Sequence, residues 1–131
     1  MKLLLDTHIF LWFLEGNTSI SQNARQLIQS PENDKYISLI SFYETAIKVK
    51  IGKLTLAVSI EDYLQSLQES DVQLLPIKEN HIITYELVPL IDTHRDPFDR
   101  LIIATALFEN LAIITSDKRF ENYTSLVKVI H

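Results

Sequence analysis

Carboxylates follow or begin several apolar segments of this chain. They occur in the motifs Leu5-Asp6-Thr7, Ser41-x-x-Glu44, Asp96-Pro97-Phe98-Asp99 and Ser116-Asp117. Carboxylates held a few ångströms apart repel one another and raise one another's pKa values, so a hard cation is needed to neutralise such a cluster. Mg²⁺ and Mn²⁺ prefer oxygen ligands, and the chain has no cysteine for a thiolate zinc site. If these acids meet in the fold, they predict a Mg²⁺ site in which Mn²⁺ can substitute.

Each acid also fits a structural role at the start of a helix. Asp6, Asp96 and Asp117 are favourable N-cap residues, and Asp99 in the first turn of a helix suits the helix dipole. Ser41-x-x-Glu44 matches the capping-box pattern. A cap stabilises by about 1 kcal/mol, and Ser, Thr or Asn would serve as well, so capping does not require acids at all these positions. Capping and metal binding remain alternative interpretations of each acid.

Basic residues accompany the acids and suggest a phosphate-containing partner. Seven of the 12 Lys and Arg residues follow or flank a proposed ligand in the sequence, namely Lys48, Lys50, Lys53, Arg95, Arg100, Lys118 and Arg119. We interpret them as a local positive rim that binds an RNA backbone despite a net charge of −5. The residues expected to contact the substrate are Lys48, Arg95, Arg100, Lys118 and Arg119. The alternative is ordinary surface ion pairing, which is common and weak.

These residue types together predict hydrolysis of a phosphodiester bond without a covalent nucleophile. A metal ion lowers the pKa of a bound water, and a second ion about 4 Å away would stabilise the leaving 3′ oxygen. His8 and His94 lie near the acids, but a lone histidine more often packs within a fold than acts as a base.

Five apolar runs of strand length separate the acidic motifs. They are Lys2–Leu5, Tyr36–Ile40, Val72–Ile77, Leu111–Thr115 and Leu126–Ile130. The runs are nearly continuous rather than alternating, which is typical of strands that are covered on both faces. The carboxyl ends of parallel strands meet at one edge of a sheet, where ligands of open α/β folds bind.

Segments with helical periodicity lie between the predicted strands. A short helix is expected after Asp6, ending at Gly16, and another from Ser41 to Ile51, ending at Gly52. Phe98–Phe108 is apolar almost all round and predicts a buried helix. Three further apolar stripes comprise Ile20, Ala24, Leu27 and Ile28, then Ile60, Tyr63, Leu64 and Leu67, and then Ile82, Ile83 and Leu87.

Alternation of strands and helices predicts an α/β fold with a parallel sheet covered by helices on both sides. No linker or repeat divides the chain, so residues 1–131 are expected to form one domain. Phe10, Trp12 and Phe13 are interpreted as packing residues of the first helix, with a dimer or partner surface as the alternative.

The composition sets further bounds on function. Apolar residues make up 47% and charged residues 22% of the 131 residues, as in an ordinary globular domain. No apolar stretch is long enough to span a bilayer, and no secretory cleavage site follows the N-terminal run. We therefore expect a cytoplasmic protein without a membrane partner.

The motifs as a set resemble the PIN-domain ribonucleases of the VapC toxin type, over essentially the whole chain. The matching segments are L-L-L-D-T-H, S-F-Y-E-T-A, R-D-P-F-D-R-L-I-I-A-T-A and I-I-T-S-D-K-R-F. The resemblance implies a three-layer α/β/α sandwich with a central parallel sheet of about five strands, and a Mg²⁺- or Mn²⁺-dependent endoribonuclease site.

The same resemblance assigns roles to particular residues. The four acids that match the catalytic and metal-binding positions of the family are Asp6, Glu44, Asp99 and Asp117. Asp96 is an additional acid that is a ligand, a group that orients the ligands, or only a cap. Thr7 and Ser116 match hydroxyl positions that orient the acids or water. Family members are usually homodimeric toxins of type II toxin–antitoxin modules, so a small antitoxin protein is an expected partner.

Two other function classes remain as alternatives. A phosphoaspartyl protein would also carry acids at a sheet edge, but the phosphatase pattern requires Asp-x-Asp and His8 occupies the second position. A non-catalytic binding or regulatory module would use the same acids only as helix caps.

Overall fold

The computed structural model describes residues 1–131 and contains a five-stranded sheet in which all strands are parallel. The strands are β1 (Lys2–Leu5), β2 (Asp34–Ser38), β3 (Val72–Leu75), β4 (Ala112–Ile114) and β5 (Val129–Ile130). Their spatial order is β3-β2-β1-β4-β5. Leu5 pairs with Ile37 of β2 and with Ile114 of β4, so the carboxyl ends of the three central strands lie level at one edge.

Six α-helices connect or follow the strands. They are α1 (Thr7–Glu15), α2 (Gln22–Gln29), α3 (Leu39–Lys50), α4 (Ile60–Glu69), α5 (Glu79–Thr84) and α6 (Pro97–Glu109). Two 3-10 segments cover Tyr85–Leu87 and Lys118–Tyr123. None of the helices combines the length and hydropathy needed to cross a membrane.

Two apolar cores lie on opposite faces of the sheet. Leu3 and Leu5 of β1 belong to one core, whereas Leu4 between them belongs to the other. Side chains of a strand alternate between faces, so a continuous apolar run supplies both cores. The first core receives Ala24, Ile28, Tyr63 and Leu67 from α2 and α4, and the second receives Ile102, Ile103, Ala104 and Ala106 from α6. The predicted α/β/α architecture is confirmed.

Helix α1 follows the sequence prediction closely. It begins after the N-cap Asp6 and ends at Gly16, whose φ of 66° lies in the left-handed region that favours glycine. Phe10 is fully buried, and Trp12 and Phe13 pack partly buried against the first core. The packing interpretation of these aromatic residues is therefore confirmed.

The junction between β2 and α3 lies earlier than predicted. The predicted strand ended at Ile40, but β2 ends at Ser38 and α3 begins at Leu39. The N-cap is Ser38, whose Oγ accepts a hydrogen bond from the backbone N–H of Ile40 at 3.2 Å. Ser41 lies inside the helix without a partner for its hydroxyl, so the capping box of Ser41 and Glu44 was wrong. Apolar residues continue on both sides of Ser38 and therefore hide the junction.

Three other predicted strands are shorter in the structure, and one apolar stripe faces solvent. The runs that were predicted to end at Ile77 and Thr115 end at Leu75 and Ile114, and the last strand begins at Val129 rather than Leu126. Ile82, Ile83 and Leu87 are exposed, whereas His81 of the same helix is fully buried beside Glu109. The third stripe was therefore wrong as a core-facing stripe. The buried helix α6 extends one residue beyond the prediction at each end, and Phe108 is exposed.

The position of the α3 cap can be tested by two serine substitutions. Ser38→Ala is expected to lower the free energy of unfolding by about 1 kcal/mol, because it removes an N-cap. Ser41→Ala is expected not to lower it, because its buried hydroxyl has no partner to lose. Urea unfolding of both variants measures the difference, and a larger loss for Ser41→Ala would contradict this cap.

Candidate functional site

The predicted acids meet at the carboxyl edge of the sheet. Asp6 directly follows β1, Asp117 lies three residues after β4, Glu44 is on α3, and Asp99 is in the first turn of α6. Together with Asp96 they line a cleft of about 90 Å³ that has no apolar side chain in its lining. The topology has thus brought residues from four separate segments into one small polar site.

Three of these acids cap helices and two do not. Asp6, Asp96 and Asp117 each accept a backbone N–H at the start of the helix that follows, as the structural alternative predicted. Glu44 and Asp99 lie within helices that other residues cap. They are only 3% and 6% exposed, although charged groups are costly to bury without a partner. Capping therefore accounts for part of the acidic cluster but not for its most buried members.

Asp99 is at the centre of the cluster. Carboxylate oxygens of Glu44, Asp96 and Asp99 lie within 4.8 Å of one another. Ligand atoms of His94, Asp99 and Asp117 form a second group within the same limit. Asp6 lines the same cleft but belongs to neither group. A cation beside Asp99 would have potential ligands on both sides of that carboxylate.

The electrostatics of the cluster favour a bound cation. Burial, followed by the charges of Asp6, Asp96, Glu44 and Asp117, raises the pKa of Asp99 to about 8. Burial also raises the pKa of the Asp6 carboxyl, against the lowering effect of its hydrogen bond with Thr115. Without a cation, Asp99 therefore retains its proton near neutral pH. A bound cation would relieve this repulsion.

Threonine hydroxyls orient two of the carboxylates. The Thr7 hydroxyl donates to Oε1 of Glu44 at 2.9 Å, which links α1 to α3. The Thr115 hydroxyl donates to Oδ2 of Asp6 at 2.8 Å and accepts the backbone N–H of Asp117 at 3.0 Å. Each hydroxyl donates a hydrogen bond to one oxygen of a buried acid and so fixes the rotamer of that acid.

Sequence reasoning selected Thr7 and Ser116 as orienting hydroxyls but missed Thr115. Ser116 lies exposed in the lining of the cleft, whereas Thr115 is fully buried. A signal for Thr115 was available, because it is the polar last residue of an apolar run beside the strand that ends before Asp6. Because side chains of a strand alternate between faces, the side chain of Thr115 points to the face of the sheet opposite that of Ile114.

His94 contacts the central acid directly. Its Nε2 lies 2.6 Å from Oδ2 of Asp99, and its ring packs against Phe120 and Tyr123. Burial lowers the pKa of His94, so the ring is neutral at pH 7. Its packing and its contact with Asp99 identify His94 as a residue that holds Asp99 in place. His8 lies in the lining of the cleft and stacks on Trp12.

Two of the predicted basic residues line the cleft. Nζ of Lys48 lies 3.0 Å from Oε2 of Glu44, and the Arg119 guanidinium lies 2.7 Å from Oδ2 of Asp117. Burial lowers the pKa of Lys48, but the hydrogen bond and charge of Glu44 outweigh burial and raise it. The hydrogen bond from Arg119 lowers the pKa of Asp117. Positive charges therefore lie on both sides of the acids.

The other three predicted basic residues do not line the cleft. Arg95 is exposed and lies 3.7 Å from Asp92. Lys118 is exposed outside the lining of the cleft. Arg100 is 8% exposed and donates to the carbonyl of His94 at 3.0 Å. Its predicted contact with a substrate is not supported, because the guanidinium is committed to an internal contact.

The donor set suits a hard divalent cation. Its members are carboxylate oxygens with one imidazole nitrogen at the side, and the chain has no cysteine. Mg²⁺ and Mn²⁺ are among the ions that such oxygen-rich sets bind. The raised pKa of Asp99 indicates the charge repulsion that such an ion neutralises.

Known proteins match this chain over nearly its whole length. The family model described as PIN domain matches residues 3–126. Ribonuclease VapC22 of Mycobacterium tuberculosis is 29% identical over 120 residues, which cover 92% of this chain and 90% of that protein.

Solved structures share the fold over nearly their whole length. The structure of VapBC2 from Rickettsia felis, bound to a DNA fragment from their promoter, matches with a TM-score of 0.70 and 19% identity, covering 99% of this chain and 98% of that chain. VapBC-5 from Mycobacterium tuberculosis, a member of the VapBC family of toxin-antitoxin systems, matches with a TM-score of 0.60 and 21% identity, covering 98% and 95%. These two matches concern the fold.

Proposed function

Because the chain belongs to the PIN-domain family, we propose that it is a metal-dependent endoribonuclease and the toxin of a toxin–antitoxin pair. The observation that carries this proposal is the buried carboxylate cluster around Asp99, at the edge of the sheet where ligands of α/β folds bind. The similarity to a ribonuclease over 92% of the chain supports RNA as the substrate.

The proposed cofactor is Mg²⁺, with Mn²⁺ as a substitute. The proposed ligands are Asp6, Glu44, Asp99 and Asp117, with Asp96 as a further donor close to Asp99. When bound, the ion supplies Lewis acidity that activates water and stabilises the charge developing on the phosphodiester.

The surrounding residues would hold this site in a productive geometry. Thr115 fixes Asp6, Thr7 fixes Glu44, and His94 fixes Asp99, each through a direct contact between side chains. Lys48 and Arg119 would then attract the phosphates on either side of the acids.

The proposal extends to the domain, the cellular compartment and the partners. Residues 1–131 are proposed to form a single PIN domain that acts on RNA in the cytoplasm. The VapBC structures that share the fold support an antitoxin partner. The resemblance to homodimeric toxins supports a homodimer.

Cleavage of purified cellular RNA tests the activity. The protein is incubated with total RNA in Mn²⁺, in EDTA, and as an Asp6→Asn variant prepared in the same way. Discrete fragments are expected only from the unmodified protein with Mn²⁺. Fragments that persist in EDTA or with Asp6→Asn would indicate a contaminating nuclease. No cleavage by folded protein that binds Mn²⁺ would favour the non-catalytic module, in which the acids only cap helices.

The contact between Thr115 and Asp6 predicts a further effect. Thr115→Val keeps the shape of the side chain but removes the hydroxyl that bonds to Asp6 and Asp117. The rate of RNA cleavage is expected to fall about tenfold to 100-fold, as when other groups that orient metal ligands are removed. Thr105→Val is the matched control, because Thr105 is also buried but bonds within α6 to the carbonyl of Leu101. Equal losses of activity in the two variants would contradict an orienting role for Thr115.

A further inference from the structure

A second cleft opens beside the acidic cleft, between the end of α3 and the start of α6. Its volume is about 320 Å³, and we call it the side cleft. The side cleft is lined by Ile47, Ile51, Pro97 and Phe98, and by Lys48 and Lys53. Glu44, Lys48 and Asp96 also line the acidic cleft, so the two clefts lie next to each other. A molecule bound at the acids has direct access to the side cleft.

The aromatic ring in the side cleft is held in place. The backbone N–H of Phe98 donates to Oδ1 of Asp96 at 2.8 Å, which fixes the start of α6. The Phe98 ring packs edge-on against Tyr43, with ring centroids 6.0 Å apart and planes at 78°. Phe98 also packs against the second core. The ring is therefore already positioned before any ligand binds.

The lining combines an apolar surface with positive charge at its margin. Ile51 is 58% exposed, and a side chain this apolar gains free energy when a ligand covers it. Lys53 adds a positive charge that complements a phosphate, whereas Lys48 is paired with Glu44 at 3.0 Å and Asp96 also lines the side cleft. A planar apolar base joined to a phosphate backbone matches both features, because bases bind on apolar and aromatic side chains while lysines track the backbone.

We propose that the side cleft is the subsite for an unpaired nucleobase of the RNA strand next to the bond that is cut. This inference rests on the proposed ribonuclease function. A base in a duplex is stacked and paired, so only an unpaired nucleotide can insert its base between Ile51 and Phe98.

Two exposed isoleucines provide a matched test. Ile51 is 58% exposed in the side cleft, and Ile82 is 55% exposed on α5, outside it. Ile51→Asn and Ile82→Asn are each made in an Asp6→Asn background, which is intended to prevent cleavage. Fluorescence anisotropy in Mg²⁺ measures their affinity for a labelled eight-nucleotide single-stranded RNA, and gels check that the RNA stays intact. Melting curves confirm that both variants are folded.

The expected result is a specific loss of base binding. Ile51→Asn should weaken binding of the single-stranded RNA about fivefold or more, and Ile82→Asn should leave it unchanged. Both variants should bind a ribose-phosphate oligomer of the same length without bases equally well. Duplex RNA of the same sequence should bind more weakly than the single strand and show no dependence on Ile51.

Three outcomes would overturn the inference. The first is equal RNA affinity of the two isoleucine variants. The second is that Ile51→Asn weakens binding of the oligomer without bases as much as it weakens binding of RNA. The side cleft would then bind only the ribose-phosphate backbone. The third is an RNA affinity of Ile51→Asn equal to that of its Asp6→Asn parent together with weakening of the proposed homodimer, which would make the side cleft a protein-binding site. Cleavage of total RNA by the unmodified protein is scored separately, so loss of the subsite and loss of the nuclease function are distinguishable.

Discussion

Asp99→Asn is expected to lower the rate of RNA cleavage at least about 100-fold while the protein remains folded. Asp99 is the carboxylate that both groups of potential ligands share, so the substitution removes a charged donor from each. Changing a residue that merely orients a metal ligand costs about tenfold to 100-fold, and a direct donor should cost at least as much. Single-turnover cleavage of a defined RNA at fixed Mn²⁺ measures the effect.

Asp92→Asn is the matched control for this experiment. Asp92 lies seven residues before Asp99, but its side chain is 96% exposed and its ion pair is with Arg95 at 3.7 Å. The control removes one negative charge from the same region and should leave the rate within about twofold, because exposed ion pairs contribute little. If folded Asp99→Asn kept a third or more of the normal rate, Asp99 would not be a ligand of the catalytic ion.

The sheet and its covering helices were predictable, because apolar runs of strand length and apolar stripes with helical spacing recur along the chain. The run Leu3–Leu5 is apolar at every position, and the structure divides these leucines between two cores. Such a run has no polar face, so it predicts a strand covered on both sides. The same feature conceals the ends of strands. Leu39 and Ile40 continue the apolar run into α3, and only the geometry of Ser38 identifies the junction.

The meeting of the acids was also predictable, because it follows from parallel topology. Asp6 and Asp117 each follow a strand, and parallel strands end at one edge. The partners of the acids were harder to predict, because they depend on side-chain direction and burial. Thr115 and Arg100 show both errors: a hydroxyl that looked like part of a strand orients Asp6, while a guanidinium that looked available bonds inside the protein.

Whether an acid caps a helix, faces the metal site or does both can likewise be seen only in the structure. Asp96 caps α6 with one carboxylate oxygen and also lies within 4.8 Å of ligand atoms of Glu44 and Asp99. The cap uses Oδ1 of Asp96 alone, and a carboxylate has about four acceptor sites on its two oxygens. One acid can therefore hold the helix and still face a cation. The two interpretations of the sequence were compatible rather than competing.

The metal-free protein is expected to lose stability as the pH rises, because of the raised pKa of Asp99. Its pKa is about 8 in the folded protein and close to the ordinary value of 3.8 when unfolded. The stabilising contribution is therefore complete below the unfolded pKa and is lost as the pH rises through the folded pKa. Between about pH 5.5 and about pH 8.5 in EDTA, this group should lower the free energy of unfolding by a few kcal/mol.

The comparison with Asp99→Asn isolates this contribution. Burial lowers the pKa of His94, so that residue contributes stability that increases as the pH rises, and it partly offsets the loss from Asp99. The variant has no carboxyl group at position 99, so it should become more stable than the unmodified protein at about pH 8.5 and differ less at about pH 5.5. Urea unfolding at the two pH values measures this crossover, and Asp92→Asn should not show it.

Saturating Mn²⁺ should reverse the loss at high pH, since the ion replaces the proton as the neutralising charge. At about pH 8.5, a concentration about 100 times the dissociation constant at that pH should stabilise the unmodified protein by about 2.7 kcal/mol, and the same concentration is used at about pH 5.5. The gain should be larger at about pH 8.5 than at about pH 5.5, because protons compete with the ion for the same carboxylates. A pH-independent gain, or one of equal size in Asp99→Asn, would mean that the ion binds elsewhere. The same acid would then destabilise the empty site without serving the reaction.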